Sequence, residues 1–364
     1  MTMDNIAISR TLKSRLGEVD LGNLKFGHHF SDHMFLADYV DGEWRDFRIE
    51  PFGYIPMHPS MMALHYGQSI FEGMKASKNV EGQALFFRPE MHAKRLNRSA
   101  ERMCMPTFPE EMFLEALHTL VGMDSDWIPP HEGSALYIRP LMYASDEFLG
   151  VKPSDNYRLL IFTGPVGPYY SKRIQLWAEP YYIRAAPGGV GAAKTAGNYA
   201  AAMLPSKLAK ENGYDQVLWL DAIHHKYVQE VGTMNIFFVI GDSIITPPVT
   251  EDTILHGITR DSILHILREE TDYKVEERPL SIDEIADAYR SGNLKECFGS
   301  GTAAVIGDVE RITYGEIDMR LPSRGEESVG LFCKNYLNRL RAGLIEDKFN
   351  WIVPVEMPEL NPAG

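Results

Sequence analysis

The chain has 364 residues, with 36 lysines and arginines against 50 aspartates and glutamates, which gives a formal net charge of −14. This acidic balance argues against nucleic acid and anionic membrane surfaces as partners, because both attract positively charged proteins. Hydrophobic residues make up 45% of the chain, enough for one large core or two medium ones. We therefore expect a two-domain protein that acts on small molecules.

The three cysteines, Cys104, Cys297 and Cys333, are too widely spaced for a CxxC pair or a disulfide framework, which indicates a reducing compartment. No apolar stretch approaches the roughly 20 residues of a membrane span, and the first residues lack the hydrophobic segment of a signal peptide. We expect a cytoplasmic protein.

The first part of the chain alternates helix and strand patterns. A helix is predicted to begin at Pro89, because proline is favoured at the first helical position. Its apolar positions at helical spacing are Leu96, Ala100, Met103 and Cys104. The next helix carries an apolar stripe of Phe113, Ala116, Leu117, Leu120 and Val121. Two strands are then predicted at 135–144 and 157–167.

A domain boundary is predicted near residue 170, where the segment GPVGPYYSKR concentrates glycine, proline and polar residues between two β-rich regions. We expect a smaller N-terminal domain over residues 1–170 and a larger C-terminal domain over 171–364. The second domain contains short apolar runs, typical of strands, at 174–179, 216–220 and 235–240. The fold class is therefore mixed α/β (α+β).

The helices of the second domain have marked ends. Ser281 and Glu284 form a capping box, and Gly292 lies where a C-terminal cap belongs. The last long helix is predicted to dock on the core through an apolar face of Val329, Phe332, Cys333, Tyr336, Leu337 and Leu340.

Small residues surround Lys194 in the run GGVGAAKTAGNY. Only four of the residues from 185 to 197 are larger than alanine, so another group must approach this backbone closely. A lysine in an apolar setting without a carboxylate neighbour loses its proton more readily, and its neutral amine is then a nucleophile and base suited to a Schiff base. A solvated lysine on a flexible glycine loop is the alternative that spacing alone leaves open.

The same loop and a second lysine also allow different interpretations. GGVGAAKT nearly matches the phosphate-binding pattern GxxxxGK[ST] of nucleotide hydrolases, but Ala193 replaces the required glycine and no hydrophobic strand directly precedes the loop. Lys75 in FEGMKA is a second candidate for a Schiff-base lysine. Its neighbours Glu72 and Lys78 indicate a more solvated setting, which favours Lys194.

Three further segments could complete a cofactor site. Glu230 precedes a turn and an apolar strand, where its carboxylate could keep a pyridine nitrogen protonated. Gly257, Ile258 and Thr259 open an amphipathic helix whose free N–H groups and dipole suit a phosphate. Small residues around Thr302 allow a backbone nest and a hydroxyl to meet the same anion. Taken singly, Glu230 could equally be a surface acid and the helix start an ordinary cap.

Read together, these motifs resemble one family. LHYGQSIFEGMKA, LFFRPE, LYIRP, the GGVG…K…GNY run, QVLWL, QEVGTMN and FGSGTA occur in the order and spacing of branched-chain amino-acid aminotransferases of the class-IV pyridoxal-phosphate fold, from about Gly27 to Val355. The resemblance implies a two-domain fold-type IV enzyme with pyridoxal 5'-phosphate in the interdomain cleft. D-amino-acid transaminase and aminodeoxychorismate lyase are the alternatives within this fold, although they lack this chain's length and its FEGMKA segment.

The resemblance also implies roles for individual residues. Lys194 would form the Schiff base with the cofactor, Glu230 would contact its pyridine nitrogen, and Tyr199 would bond its phenolic oxygen. The implied phosphate ligands are Arg88 from the small domain, and Gly257, Ile258, Thr259 and Thr302 from the large one. The implied substrate pocket is mostly apolar and comprises Tyr66, Phe71, Tyr137, Val151, Tyr169, Thr233, Met234 and Ala303, with Arg139 at its edge.

The implied reaction is a reversible ping-pong transfer of the amino group of L-leucine, L-isoleucine or L-valine to 2-oxoglutarate, which gives branched 2-oxo acids and L-glutamate. Tyrosine hydroxyls and Arg139 offer an account of how one pocket accepts both an aliphatic chain and a carboxylate. The family further implies a homodimer, in which a loop of one subunit closes the pocket of the other.

The chain departs from the family at two places. Ala304 and Gly307 replace a CxxC redox pair that certain members carry, so thiol regulation is not expected there. Thr195 and Ala196 change the usual KLGGNY to KTAGNY but leave the lysine and tyrosine in place. No metal site is expected, because carboxylates and thiolates at ligand spacing are missing around His28, His29, His33, His224 and His225.

Overall fold

The computed structural model describes residues 6–131, 133–167, 172–249 and 252–356. The chain divides into two compact units: unit 1 comprises Met1–Tyr169 and Asn338–Gly364, and unit 2 comprises Tyr170–Leu337. The eight helices of the described residues are α1 (Met62–Tyr66), α2 (Pro89–Arg102), α3 (Glu110–Met123), α4 (Ala196–Ala201), α5 (Met203–Glu211), α6 (Ile258–Glu270), α7 (Ile282–Arg290) and α8 (Val329–Arg341).

Unit 1 is built on a sheet that is antiparallel apart from one edge pair. Its strands are β1 (Ala7–Ile8), β2 (His33–Val40), β3 (Glu43–Pro51), β4 (Ser69–Phe71), β5 (Met74–Lys78), β6 (Ala84–Phe87), β7 (Ala135–Ala144), β8 (Tyr157–Val166) and β18 (Ile352–Pro354). They follow the order β1-β3-β2-β8-β7-β5-β6-β18, and β4 pairs with β7. The strands β7 and β8, predicted from the sequence, pair along their whole length from Ala135↔Val166 to Ala144↔Tyr157.

Helices α2 and α3 pack against each other and against this sheet. The apolar stripe predicted for α3 is confirmed, since its five residues are all at most 1% exposed. The predicted start of α2 at Pro89 is also confirmed, and Leu96 and Ala100 are buried. The prediction is wrong for Met103 and Cys104, because α2 ends at Arg102 and Cys104 is exposed with a left-handed φ of 53°.

Unit 2 is built on a mixed sheet. Its strands are β9 (Ile174–Ala178), β10 (Gln216–Leu220), β11 (Val228–Val231), β12 (Asn235–Ile240), β13 (Ser243–Thr246), β14 (Lys274–Glu277), β15 (Leu294–Gly301), β16 (Val305–Tyr314) and β17 (Ile317–Arg320). The order is β11-β10-β9-β16-β15-β12-β13-β14, with β17 paired to β16. Strand β9 runs parallel to β10 and β16, and β13 runs parallel to β14.

The helix ends predicted in the second part of the chain are confirmed. The Glu284 amide donates to the Ser281 hydroxyl at 3.1 Å, and Gly292 has a left-handed φ of 73° just after α7. Four residues of the face predicted for α8 are buried, namely Val329, Cys333, Leu337 and Leu340. Phe332 is 37% exposed, so its assignment to the buried face is wrong.

The last part of the chain returns to unit 1. Strand β18 pairs antiparallel with β6, with Ile352 opposite Phe87, which groups residues 338–364 with unit 1. The domain predicted over 171–364 therefore differs from unit 2 in this segment. Within the part of the chain that the structure describes, no helix is long and apolar enough to cross a membrane.

Candidate active site

The glycine-rich loop of unit 2 lies between β9 and α4 and is held by its own side chains. Asn198 donates to the backbone oxygens of Val190 and Ala193, at 2.8 Å each. Gly191 allows close backbone approach, since a Cβ there would collide with the Thr253 carbonyl. The loop is thereby fixed over the residues just before the lysine at its end.

Lys194 ends this loop and has a defined polar partner. Its Nζ donates to the Tyr199 hydroxyl at 2.8 Å, and Tyr199 follows on α4. Lys194 is half-buried, so its setting is less enclosed than the run of small residues predicts. The phosphate-binding-loop alternative requires a strand directly before the loop, but β9 ends at Ala178 and residues 179–194 form no strand.

Glu230 lies in β11 and is only 2% exposed, so it is not a surface acid. Its carboxylate accepts a hydrogen bond from the Leu255 amide at 2.7 Å and pairs with Arg184 Nε at 2.9 Å. Burial raises the pKa of the Glu230 carboxyl above its ordinary value, although the charges of Arg184 and Lys194 and the Leu255 amide oppose this shift. A buried carboxyl whose positive neighbours only partly offset burial can accept a hydrogen bond from a further cationic donor.

Arg184 is a residue of this site that the sequence interpretation missed. It also donates to the backbone oxygens of Thr253 at 2.7 Å and Gly191 at 3.2 Å, so it links Glu230 to the glycine loop. The available signal was an arginine just before an apolar loop, because a buried arginine nearly always has an acidic partner.

A cavity of about 370 Å³ opens beside these groups within unit 2. Predicted site residues Tyr199, Glu230 and Thr233 line it, together with Arg184 and Leu255. The cavity is large enough for a small aromatic ring, and it has an acid on its wall and a phenol that contacts the lysine.

Helix α6 begins at Ile258, shortly after Leu255 in the chain. Gly257 is the N-cap, and a Cβ there would collide with the side-chain oxygen of Asn235, so glycine is required by close approach. Ile258 and Thr259 follow in the first turn, where backbone N–H groups lack intrahelical partners and the helix dipole favours an anion. Both residues are 5% exposed.

The turn between β15 and β16 carries Thr302 and Ala303, both half-buried. Met234 lies over the strand that leads into this turn, since a Cβ at Gly301 would lie 3.2 Å from the Met234 side chain. Asn235 on β12 is also paired in register with Ser300 on β15. The predicted residues Thr233, Met234 and Thr302 therefore lie next to the ends of two neighbouring strands of unit 2, β12 and β15.

Unit 1 contains a second group of predicted residues around Arg139. Its Nη2 donates to the Tyr137 hydroxyl at 2.9 Å, and its guanidinium carbon lies 4.7 Å from the centre of the Phe71 ring. Its Nε is buried and has no hydrogen-bond partner among the described residues. Tyr137 and Arg139 line a cavity of about 220 Å³ with Phe26, Gly27, His29, Phe30, Phe162, Thr163, Gly164 and Val166.

The remaining predicted residues of unit 1 differ in their exposure. Tyr66, at the end of α1, is 43% exposed, and Val151 is 90% exposed. Tyr169 lies outside the described residues. Arg88 is 9% exposed and caps α2.

The sequence interpretation of Glu72 is wrong. Glu72 is fully buried rather than solvated, and Arg95 binds both of its oxygens at 2.8 Å. His92 Nδ1 lies 2.8 Å from the same carboxylate. Glu72 therefore gives no evidence that Lys75 is solvated. Among the histidines, His33 is buried and pairs with Asp124 at 2.7 Å, and no group of three potential ligands placed to hold a metal occurs within the described residues.

The chain matches the family model described as Amino-transferase class IV over residues 69–312. It is 42% identical over 359 residues to branched-chain-amino-acid aminotransferase 2 of Bacillus subtilis, and the match covers 98% of each chain. It is 44% identical over 346 residues to branched-chain-amino-acid transaminase 1 of the same organism, covering 92% of this chain and 95% of the relative.

The structure is similar to solved structures of the same kind of protein. The branched-chain amino acid aminotransferase of Escherichia coli matches with a TM-score of 0.72 and 28% identity, over 88% of this chain and 99% of that one. The pyridoxal-phosphate form of the Thermobaculum terrenum protein matches with a TM-score of 0.72 and 25% identity, over 89% and 98%. The similarity therefore covers nearly the whole of each protein.

Proposed function

Since the chain belongs to the class IV aminotransferase family and is a pyridoxal-phosphate-dependent transaminase, we propose that it transfers the amino group of L-leucine, L-isoleucine or L-valine to 2-oxoglutarate, giving branched 2-oxo acids and L-glutamate. The observation that carries the substrate proposal is the 42–45% identity, over 92% or more of the chain, to relatives named for branched-chain substrates. The local chemistry of the described residues supports it.

The donor groups of unit 2 fit pyridoxal phosphate: an amine hydrogen-bonded to a phenol, a buried acid beside a cavity, and an N-terminal helix turn capped by glycine. When bound, this cofactor supplies an aldehyde that takes up an amino group and a ring that withdraws electrons from the substrate. We assign Lys194 the covalent attachment and Tyr199 the orientation of its amine. We assign Glu230 the role of hydrogen-bond acceptor for a protonated ring nitrogen, because its carboxyl is buried beside the cavity.

Lys194 also carries the proton that the reaction must move. With the cofactor bound, the neutral amine of Lys194 would take the proton from the substrate Cα and deliver it to a different carbon, the one that accepts it. The hydrogen bond to Tyr199 keeps Nζ in one place for both steps. The same lysine serves the second half-reaction in reverse, so one residue accounts for a ping-pong cycle.

We assign the phosphate to the first turn of α6, with Gly257, Ile258 and Thr259, and to Thr302. Three peptide N–H groups and two hydroxyls are suitable ligands for a dianion. Arg88 is assigned to the same phosphate on the family resemblance. We propose that the two units are the two domains of the enzyme.

Arg139 provides a basis for dual substrate specificity. The rings of Phe71 and Tyr137 bound an apolar wall that suits a branched side chain, while the unpaired Nε of Arg139 is a donor for a carboxylate side chain. Thr233, Met234 and Ala303 of unit 2 are assigned to the substrate on the family resemblance, as are Tyr66, Val151 and Tyr169.

The substrate proposal is tested by assaying L-leucine, L-isoleucine, L-valine, D-alanine and aminodeoxychorismate side by side with the purified enzyme. A kcat/KM for the branched L-amino acids at least about tenfold above the others is expected. A preference for D-alanine or aminodeoxychorismate would replace the proposal with one of the two other activities of this fold. In Arg139→Met, the KM for 2-oxoglutarate should rise about tenfold or more, with little change in the KM for leucine.

We also propose a homodimer, supported by an apolar loop that one unit alone leaves in solvent. Phe148, Leu149 and Val151 are 47%, 62% and 90% exposed. Large exposed apolar patches are typical of association sites. Light scattering on a size-exclusion column should give twice the chain mass, and Val151→Asp should shift the mass toward the monomer.

A cytoplasmic location is proposed from the thiols. Cys104, Cys297 and Cys333 are all free, and Cys104 is exposed, which fits a reducing compartment. Fractionation of cells that express the full chain would place it in the cytoplasmic fraction.

A further inference from the structure

Arg88 has an unusual backbone conformation. Its φ and ψ are 51° and 50°, in the left-handed region that favours glycine, and it directly precedes Pro89 at the start of α2. An arginine in this conformation costs free energy that glycine would avoid, so surrounding contacts must hold it there. Strain of this kind concentrates at functional sites. It indicates that the orientation of the Arg88 side chain matters for function.

Trp351 supplies two of those contacts. The Arg88 amide donates to the Trp351 carbonyl at 2.8 Å, which fixes the strained backbone. The Arg88 guanidinium carbon lies 4.9 Å from the centre of the Trp351 ring, within the range of a cation–π interaction. Trp351 therefore contacts both the backbone amide and the guanidinium of Arg88.

Two ring contacts and the neighbouring backbone fix the position of the Trp351 indole. Phe349 stacks on it with centroids 4.3 Å apart and the planes 17° from parallel, and Phe87 contacts it edge-on at 5.8 Å. The next residue, Ile352, pairs with Phe87 in the β18–β6 ladder, and its amide donates to Asp347 at 2.8 Å. Trp351 is 7% exposed, so it is a rigid surface rather than a mobile side chain.

The geometry points to Trp351 as a positioning residue: we propose that its indole holds the Arg88 guanidinium in the orientation that binds the cofactor's phosphate. This proposal rests on the phosphate role assigned to Arg88 above. Stacking on an indole uses the face of a guanidinium, whereas an oxyanion is bound at its N–H edge, so the two contacts use different parts of the group. Fixing the side chain before binding reduces the entropy lost when the phosphate arrives.

The positioning role of Trp351 would also explain why the C-terminal segment of the chain returns to unit 1. Residues 338–356 leave unit 2 and end as the edge strand β18, with Trp351 just before it. Asn350, directly before Trp351, also has a left-handed φ of 55°. The backbone of the C-terminal segment is therefore in a defined conformation both before and after Trp351, the residue that contacts Arg88.

The test compares two ligands that differ only in the phosphate: pyridoxal phosphate and pyridoxal. Trp351→Leu keeps an apolar side chain and the backbone carbonyl but removes the π face. It should raise the apparent Kd for pyridoxal phosphate on the order of tenfold, with a change of less than about twofold for pyridoxal. Trp351→Phe keeps an aromatic face and should recover most of the affinity. Both Kd values come from absorbance titration of the cofactor-free enzyme.

Three controls make the result specific. Trp44→Leu removes a half-buried tryptophan of unit 1 that contacts Phe108 instead, and should leave both Kd values unchanged. In an Arg88→Ala background, Trp351→Leu should add no further loss for pyridoxal phosphate. Equal weakening of both ligands, or an additive loss in the double variant, would overturn the positioning role.

Failure of the parent proposal has a different outcome. If Arg88→Ala itself weakens pyridoxal phosphate and pyridoxal equally, the phosphate role of Arg88 is wrong and the role of Trp351 is wrong with it. If Arg88→Ala weakens only the phosphorylated ligand and Trp351→Leu weakens neither, the parent proposal stands and only the positioning role is overturned.

Discussion

Units 1 and 2 each bury a glutamate almost completely, and the two carboxyls have pKa values shifted in opposite directions. Glu72 is 0% exposed and Glu230 is 2% exposed, so burial opposes ionisation of both. The two positive partners of Glu72, above all Arg95, outweigh burial and lower its pKa well below the ordinary value. At Glu230 burial outweighs one arginine, one amide and the more distant charges, and the pKa is raised.

The contrast lies in how far positive partners compensate each buried carboxylate, and it separates Glu72 from the acid that we propose to act on the cofactor. Glu72 receives two hydrogen bonds from Arg95, one contact from His92 and one from the Gly73 amide, so its oxygens are fully occupied. Glu230 has Arg184 on one oxygen and Leu255 on the other, and it faces a cavity. Partial compensation leaves Glu230 able to bind one further donor, such as a protonated ring nitrogen.

The largest effect is expected from removing the lysine that faces Glu230. Lys194→Ala should lower kcat by roughly 10⁴-fold or more, because the nucleophile and the proton carrier are lost together. The matched control is Lys75→Ala, which removes the other candidate lysine and should retain activity within about tenfold. A steady-state transamination assay of both variants shows which lysine is catalytic. Loss of activity in Lys75→Ala with retained activity in Lys194→Ala would assign the catalytic role to Lys75 instead.

Breaking the compensation at Glu72 should affect stability next most strongly. Glu72→Gln leaves Arg95 buried without its counter-charge, and we expect the protein to lose about 3–5 kcal/mol of unfolding free energy. Urea denaturation of the variant and the wild type measures this difference. The double variant Glu72→Gln, Arg95→Met removes the stranded charge and should recover part of the loss; no recovery would contradict the account.

Glu230→Gln should lower the rate of the reaction strongly. The amide keeps the shape of the carboxyl but cannot hold a proton at the ring nitrogen, so kcat should fall by about 10²–10³-fold. Because the variant also leaves the buried Arg184 side chain without its counter-charge, the cofactor-free protein should unfold at a lower urea concentration than the wild type. A large loss of stability with near-normal kcat would make Glu230 a structural residue like Glu72.

The smallest expected effect is a pH dependence that differs in sign between the two acids. The folded-state pKa of Glu72 is lowered, so its contribution to stability is present above its ordinary pKa of 4.5 and is lost as the pH falls below it. The folded-state pKa of Glu230 is raised, so its contribution is present below 4.5 and is lost as the pH rises through the folded-state value.

The stability difference between each glutamine variant and the wild type, measured from pH 4 to pH 8, shows both signs. The destabilisation of Glu230→Gln should be largest near pH 4 and should diminish as the pH rises, because ionisation of this buried carboxyl lowers the stability of the wild type. The destabilisation of Glu72→Gln should diminish toward pH 4. The same trend in both variants would show that the two environments do not differ as described.

The sequence by itself determined the family, the fold class and the cofactor, all of which are confirmed. It also determined elements whose cause is local. The α3 stripe is buried because its residues recur at helical spacing, and the Ser281 hydroxyl caps α7 because its partner amide is three residues along the chain. The predicted cofactor and substrate residues follow from motifs, and their roles stay proposals.

Only the tertiary structure decided the features that depend on distant partners. Glu72 looks solvated beside Lys75 and Lys78, but Arg95, from a helix later in the chain, makes it the most enclosed acid of unit 1. Phe332 fits the apolar face of α8 by spacing and yet is exposed, because spacing does not specify how far the covering structure extends.

The same limit applies to the site itself. Arg184 meets Glu230 and Trp351 meets Arg88 across long sequence separations. A motif records what is adjacent in the chain, whereas burial and charge compensation depend on which elements the fold brings together. The sequence therefore identified the candidate groups for the chemistry, and the tertiary structure decided which charges are compensated, which determines the difference between Glu72 and Glu230.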